Sequence, residues 1–135
     1  MIIKYPNEIL ITPSKDVSLK RGKEIAKLLK DELLDHKDGV GLAAPQIGLN
    51  ENVFVALGKV YINPKIQKYS PRTEICPESC LSIPRKIFDV ERSNSVIIKY
   101  MNMDGKLRVN KVDDFEARVV QHEYDHLLGK LINQK

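Results

Sequence analysis

The sequence predicts an α+β fold, with mostly antiparallel sheets around one central helix and an amphipathic helix ahead of them. Three observations carry this. Residues 25–34 repeat apolar side chains at helical spacing. From residue 52 to residue 112 the pattern changes to short apolar and β-branched runs broken by glycine and asparagine. After Asp113 the helical spacing returns, now carrying two histidines. With 135 residues, a single domain spanning 1–135 is expected.

Residues 1–18 read as irregular, because Pro6 and Pro13 interrupt any helix. From Lys20 to about His36, the residues Ile25, Leu28, Leu29, Leu33 and Leu34 outline an amphipathic helix that Asp38-Gly39 ends. Gly39-Val40-Gly41-Leu42-Ala43-Ala44-Pro45-Gln46 follows. Glycines on either side of a valine suit an extended segment that another backbone approaches closely. The segment lacks the lysine and spacing of a phosphate loop. Asn52–Leu57 and Val60–Ile66 read as strands joined tightly at Gly58, with another strand near Ile83 and 87–90. Val96–Met101 and Lys106–Val112 read as a hairpin turning at Met103-Asp104-Gly105. The last helix starts near Asp113 or Asp114. Asp113 with Glu116 resembles a capping box, Phe115, Val119, His122 and His126 share the inner face, and Gly129 caps the end.

Composition excludes several classes. No run of 18 apolar residues marks a membrane span, and the N-terminus lacks the apolar core of a signal peptide. A cytoplasmic protein of a bacterium, or of a phage-infected cell, is the expectation. The net charge of +4 permits weak ribosome association but marks no sequence-specific nucleic-acid face. Cys76 and Cys80 are too close, in a reducing compartment, to suggest a structural disulfide.

The chemistry sits in His122-Glu123-Tyr124-Asp125-His126. On a helix, positions i and i+4 differ by about 40° around the axis and roughly 6 Å along it, so both imidazoles can face one ion. Glu123 then lies where a general base would reach a water on that ion. Hydrolytic zinc-type sites keep three protein ligands. Cys80, among small polar neighbours in what reads as a loop, is preferred as the third. Cys76 reads as a packed cysteine and is the alternative.

Three segments together resemble the peptide deformylase family. Gly39–Gln46 matches its Gly-x-Gly-x-Ala-Ala-Pro-Gln motif, and Gln121–His126 matches Gln-His-Glu-x-Asp-His. Glu78-Ser79-Cys80-Leu81-Ser82 matches Glu-Gly-Cys-Leu-Ser except at Ser79. The motifs stand in the family's order. Tyr61-Ile62-Asn63-Pro64 and Ala117-Arg118-Val119 are similar to it as well, so the resemblance covers most of the chain.

The resemblance implies removal of the formyl group from N-formylmethionyl peptides, releasing formate. It implies one divalent ion on Cys80, His122 and His126, with Fe²⁺ the natural metal and Zn²⁺, Ni²⁺ or Co²⁺ able to replace it. Glu123 would be the base. The Gln46 amide and the Leu81 backbone N–H would donate to the oxyanion. Gly39, Val40 and Gly41 would pair with the substrate backbone, and Val40, Phe115, Val119 and His122 would border a methionine pocket. Arg92, twelve residues after Cys80, would pair with Asp125. A monomer is expected.

Two departures qualify the resemblance. If the motif's glycine needs φ > 0, Ser79 costs roughly 1 kcal/mol and is read as a tolerated, locally strained variant, the alternative being a polar group that faces the substrate channel. Only nine residues follow His126, as in compact, C-terminally short forms of the bacteriophage type. Two rival readings remain open to the sequence. One is a metallopeptidase, although little chain follows His126 to supply its third ligand. The other is a catalytically weak formyl-peptide binding module.

Overall fold

The first long helix forms because Ser18 caps it and one stripe is apolar. The computed structural model describes residues 1–134. Helix α1 spans Leu19–Leu33, and the Ser18 hydroxyl accepts a hydrogen bond from the Arg21 N–H at 3.2 Å. It buries Gly22, Ile25, Ala26 and Leu29. Leu28 and Leu34, expected on that stripe, are largely exposed. The helix therefore ends before His36, where its apolar side runs out. Full burial of Ile25 and Leu29 contributes about 1.5–3 kcal/mol each.

Seven strands follow: β1 (Gly41–Ala43), β2 (Val53–Ala56), β3 (Lys59–Tyr69), β4 (Thr73–Cys80), β5 (Ile83–Ser93), β6 (Ser95–Met101) and β7 (Leu107–Asp113). Five form an antiparallel sheet in the order β1-β2-β3-β6-β7, while β4 and β5 form a separate hairpin. The turn at Leu57-Gly58 has both residues at positive φ, which matches the twist of a two-residue hairpin. Strand alternation sorts the core. Leu42, Val53, Val55, Val60 and Ile62 pack with α1 on one face. Ala43, Phe54, Ala56 and Tyr61 pack with the second helix on the other.

Helix α2 spans Asp114–Leu127. The expected capping box does not form, since the Asp113 side chain makes no cap hydrogen bond. The chain instead enters through Asp114 at φ +53, whose N–H donates to the Asn94 carbonyl. The other end is as expected. Gly129 holds φ +78, its N–H donates to the His126 carbonyl, and the Lys130 N–H donates to the Asp125 carbonyl. Ala117, Val120 and Leu127 pack on the sheet. Arg118, His122, Asp125 and His126 meet the β4–β5 hairpin. The helix is thus enclosed on two sides, and that enclosure buries Gln121, Glu123, Asp125 and His126.

Candidate metal centre

Strand β4 brings Cys80 to the face of α2 that carries the histidines. Ligand atoms of Cys80, His122 and His126 all lie within 4.8 Å of one another. The Cys80 Sγ is 3.4 Å from His126 Nε2. Around a tetrahedral ion with S and N ligands at ~2.3 and ~2.0 Å, that edge would be about 3.5 Å. The donor set therefore fits a small divalent cation. A second feature supports the fit. His122 Nδ1 is 2.9 Å from Glu78 Oε1, which fixes the ring and leaves Nε2 for an ion.

Cys80 is the final residue of β4 rather than part of a loop. Cys76 is half-buried opposite Val90 and outside the cluster, four residues or roughly 13 Å back along the strand. The two-residue turn Leu81-Ser82 then reverses the chain.

Glu123 is 4% exposed, and its Oε1 has no hydrogen-bond partner among the described residues. Burial pushes its carboxyl up to about 7, with His122 and Arg92 pulling the other way. A carboxyl in that range is poised to exchange a proton near neutral pH. Close backbone approach makes this position available. A Cβ on Gly41 would sit 2.7 Å from Glu123 Oε2 and 2.9 Å from the Val55 carbonyl oxygen. The two histidines differ. Burial lowers both, but hydrogen bonding to Cys80 and Glu78 outweighs it at His122 and raises that imidazole to about 10. His126 is driven well below its ordinary value by burial and by His122. Metal binding would displace the proton that His122 retains.

Gln46 is 2% exposed. Its Oε1 accepts from the Ala43 N–H at 3.0 Å, which turns Nε2 toward Ser82 Oγ at 3.1 Å and Cys80 Sγ at 3.7 Å. Leu81 is half-buried, and its carbonyl accepts from Lys4 Nζ. These groups border a cleft of about 600 Å³, together with Gly39, Val40, Gly41, Phe115, Val119, His122 and Glu123. Val119 also belongs to the core. Phe115, expected on the inner face, is 59% exposed in the cleft wall.

Ser79 lines the cleft and is exposed. It is not among the residues with positive φ, so the strain expected of it is absent. Sequence reasoning missed Glu78, which is the hub beneath the site. It accepts two hydrogen bonds from Arg92 at 2.9 Å, one from Arg118 at 2.6 Å, and contacts His122. Burial opposes ionisation of Glu78, but Arg92 and His122 hold it well below the usual carboxylate range. The available signal was its place two residues before Cys80, on the same side of a strand. Arg92 also donates to Asp125 at 2.6 Å, the pairing that the resemblance implies.

The family model for polypeptide deformylase matches residues 1–135. A peptide deformylase of Pseudothermotoga lettingae is 49% identical over 109 residues, covering 77% of this chain and 64% of that protein, just under two thirds of its length. A probable peptide deformylase of Synechococcus phage S-SSM7 superposes with a TM-score of 0.92 at 33% identity, covering 99% of this chain and 97% of the other. The Met-Ala-Ser-bound peptide deformylase of Acinetobacter baumannii gives 0.92 at 29% identity, over 99% and 96%. With the family model matching from end to end and the whole fold shared, the chain belongs to the peptide deformylase family.

Proposed function

We propose that residues 1–135 act as one catalytic domain, a metal-dependent hydrolase that removes the formyl group from N-formylmethionyl peptides. The observation that carries this is the joining of three candidate ligands to a buried Glu123, its Oε1 without a partner among the described residues, at the base of a cleft bordered by an edge strand. Cys80, His122 and His126 would hold the ion. A bound divalent cation supplies Lewis acidity and lowers the pKa of a water there. Glu123 accepts a proton from the attacking water and later delivers it to the departing amine. The water oxygen adds to the formyl carbon, and the C–N bond breaks to give formate and a free methionyl amine. Gln46 Nε2 and the Leu81 N–H donate to the oxyanion that develops on the formyl oxygen.

Gly39, Val40 and Gly41 pair with the substrate backbone, because β1 is the end strand of its sheet and presents an edge to the cleft. Such pairing reads no side chains, as an enzyme for many nascent chains requires. Met-Ala-Ser bound to the Acinetobacter relative supports a peptide in this cleft. Phe115 and Val119 border the methionine side chain. Fe²⁺ is the proposed native ion, with Zn²⁺, Ni²⁺ and Co²⁺ as substitutes, since a thiolate with two imidazoles suits all four. No helix among the described residues is long and apolar enough to cross a membrane. A cytoplasmic monomer with weak ribosome association completes the proposal.

The test is formate release from formyl-Met-Ala-Ser, run anaerobically with Fe²⁺ and separately with Ni²⁺. Formate is expected with one metal ion bound per chain. Cys80→Ala, His122→Ala and His126→Ala should each lose the metal, whereas Cys76→Ala should keep it. Cleavage at an internal amide would replace this reading with a peptidase. Peptide binding without turnover would replace it with a binding module.

A further inference from the structure

The β4–β5 hairpin is irregular just beyond its tip. Cys80 pairs with Ile83 and Glu78 with Phe88, so Ser79 alone faces four residues, 84–87. Bulges beside functional sites re-aim side chains. This one sets Pro84 and Arg85 in the wall of the cleft. Arg85 holds φ +66, a left-handed conformation that costs any side chain and costs glycine nothing. Strained residues persist where their surroundings use them. Arg85 is exposed and, among the described residues, pairs with no carboxylate.

A second cation joins it. The Tyr5 N–H donates to the Ser82 carbonyl at 2.8 Å, docking the N-terminal segment on the hairpin tip. Lys4 Nζ then donates to the Leu81 carbonyl at 3.1 Å and lines the same cleft. Its charge meets a neutral oxygen, and among the described residues it forms no ion pair. Elsewhere in the cleft Arg118 and Glu78 neutralise each other, Glu123 is buried at the base, and Asp38 stands on the β1 side. Glu78, the acid of the hairpin wall, is thus already spent on Arg92, Arg118 and His122, and Arg85 and Lys4 pair with no carboxylate among the described residues.

A peptide extended beside β1 projects alternate side chains toward the opposite wall. Resting on the deformylase reading, we infer that Arg85, assisted by Lys4, makes this enzyme favour formylmethionyl peptides bearing an acidic side chain in the first positions after methionine. Arg85 is a specificity residue and takes no part in the chemistry.

The experiment compares kcat/KM for C-terminally amidated formyl-Met-Ala-Asp and formyl-Met-Ala-Lys, and for formyl-Met-Asp-Ala and formyl-Met-Lys-Ala, with formyl-Met-Ala-Ser as the neutral reference. Amidation removes the terminal carboxylate, which would otherwise satisfy the cations in every peptide. Aspartate should exceed lysine by about fivefold in at least one position, chiefly through KM, at low ionic strength. The ratio should shrink in about 0.5 M salt. Arg85→Glu should invert it. Arg85→Gly should lose most of it while raising the thermal midpoint, because the left-handed backbone then suits the residue. Equal rates for acidic and basic peptides at both positions would overturn the inference, as would an Arg85→Glu variant that lowers all peptides in parallel. No formate from any peptide would defeat the deformylase reading itself, and this inference with it.

Discussion

Helices α1 and α2 are nearly equal in length, at 15 and 14 residues, and pack on opposite faces of one sheet, yet they bury different chemistry. The buried side of α1 is Gly22, Ile25, Ala26 and Leu29. That of α2 adds Gln121, Glu123, Asp125 and His126. Polar groups taken from water without partners cost stability, so α2 is tenable only because the β4–β5 hairpin, from Cys80 to Ser93, supplies partners. Where that supply stops, at Glu123 Oε1 and His126 Nδ1, the candidate catalytic groups stand. One helix is organised for stability, and the other accepts instability at the point where reactivity is needed.

The sharpest way to break this comparison is a crossed pair of variants. Glu123→Gln should retain metal and lose about 10²–10⁴ in kcat, since an amide cannot accept a proton. Its thermal midpoint should hold or rise, because a buried carboxyl gives way to a neutral group. Leu29→Ala should do the reverse, costing about 2–5 kcal/mol of stability and leaving kcat of the folded enzyme near wild type. Denaturant melts and formate assays on both variants decide it. A Glu123→Gln enzyme as unstable as Leu29→Ala would end the contrast.

Arg92→Leu tests the partner supply. Removing one member of a buried ion-pair network costs about 3–5 kcal/mol, a large share of the ~5–15 kcal/mol available to a domain of this size. The pH dependence follows from Glu78. Its folded pKa is depressed below the ordinary 4.5, so its stabilising contribution is present above that value and fades as pH falls toward the folded pKa. Wild type should therefore lose stability in acid below about pH 4.5, and Arg92→Leu should show a shallower acid slope from a lower plateau. Parallel acid profiles for the two proteins would show that Glu78 is not held down by Arg92.

Much of this was legible in the sequence, because periodicity and local spacing survive folding. The β6–β7 hairpin, the turn at Gly58, α2 with its Gly129 cap and the cluster of Cys80 with His122 and His126 are all local patterns or ordered motifs. What was missed depends on tertiary placement. Cys80 read as a loop residue because Pro77 and small polar neighbours mask strand character, whereas pairing with β5 imposes it. The capping box does not form because the chain enters α2 through Asp114 at φ +53, a backbone turn that no local pattern announces. Glu78 gained its importance only when Arg92, Arg118 and His122, from 14 to 44 residues away, converged on it. Ser79 was read as strained on the strength of the motif's glycine, but the unusual backbone lies at Arg85 across the bulge.

Gly41→Ala probes where the two helices' territories meet, since Gly41 lies in β1 beside Glu123. The added methyl would contact Glu123 Oε2 at 2.7 Å and the Val55 carbonyl oxygen at 2.9 Å. The strand oxygen is fixed, so the carboxylate moves. A displacement approaching 1 Å costs up to about 10²-fold, and a fall in kcat of about ten- to a hundredfold is expected, with stability reduced by about 1–3 kcal/mol. Unchanged kcat would mean that Glu123 has room to adjust and that its position is not set by the strand.

The smallest effect is expected at Tyr61, on the α2 face of the sheet but outside the cleft. Its ring is fully buried, 4.7 Å from Phe54 and 4.5 Å from Tyr100 between centroids, and its hydroxyl has no hydrogen-bond partner among the described residues. Unpaired polar atoms on this side are thus not confined to the reactive groups. If Tyr61 has no catalytic use, Tyr61→Phe should leave kcat unchanged and be neutral or stabilising by about 1 kcal/mol at pH 7, because the aromatic packing stays and a desolvated hydroxyl goes. Burial raises the phenol above its ordinary 10.0, so the folded state keeps a proton that the unfolded chain releases. Wild type therefore loses stability as pH rises above about 10, by up to ~1.4 kcal/mol per pH unit from this group, until the folded phenol itself ionises. The advantage of Tyr61→Phe should widen over the same range in urea melts taken between pH 7 and about 11. A destabilised Tyr61→Phe would show that the hydroxyl is anchored. Tyr61 would then leave the set of buried groups without partners on the α2 face, and the division between the two helices would sharpen around Glu123 and His126.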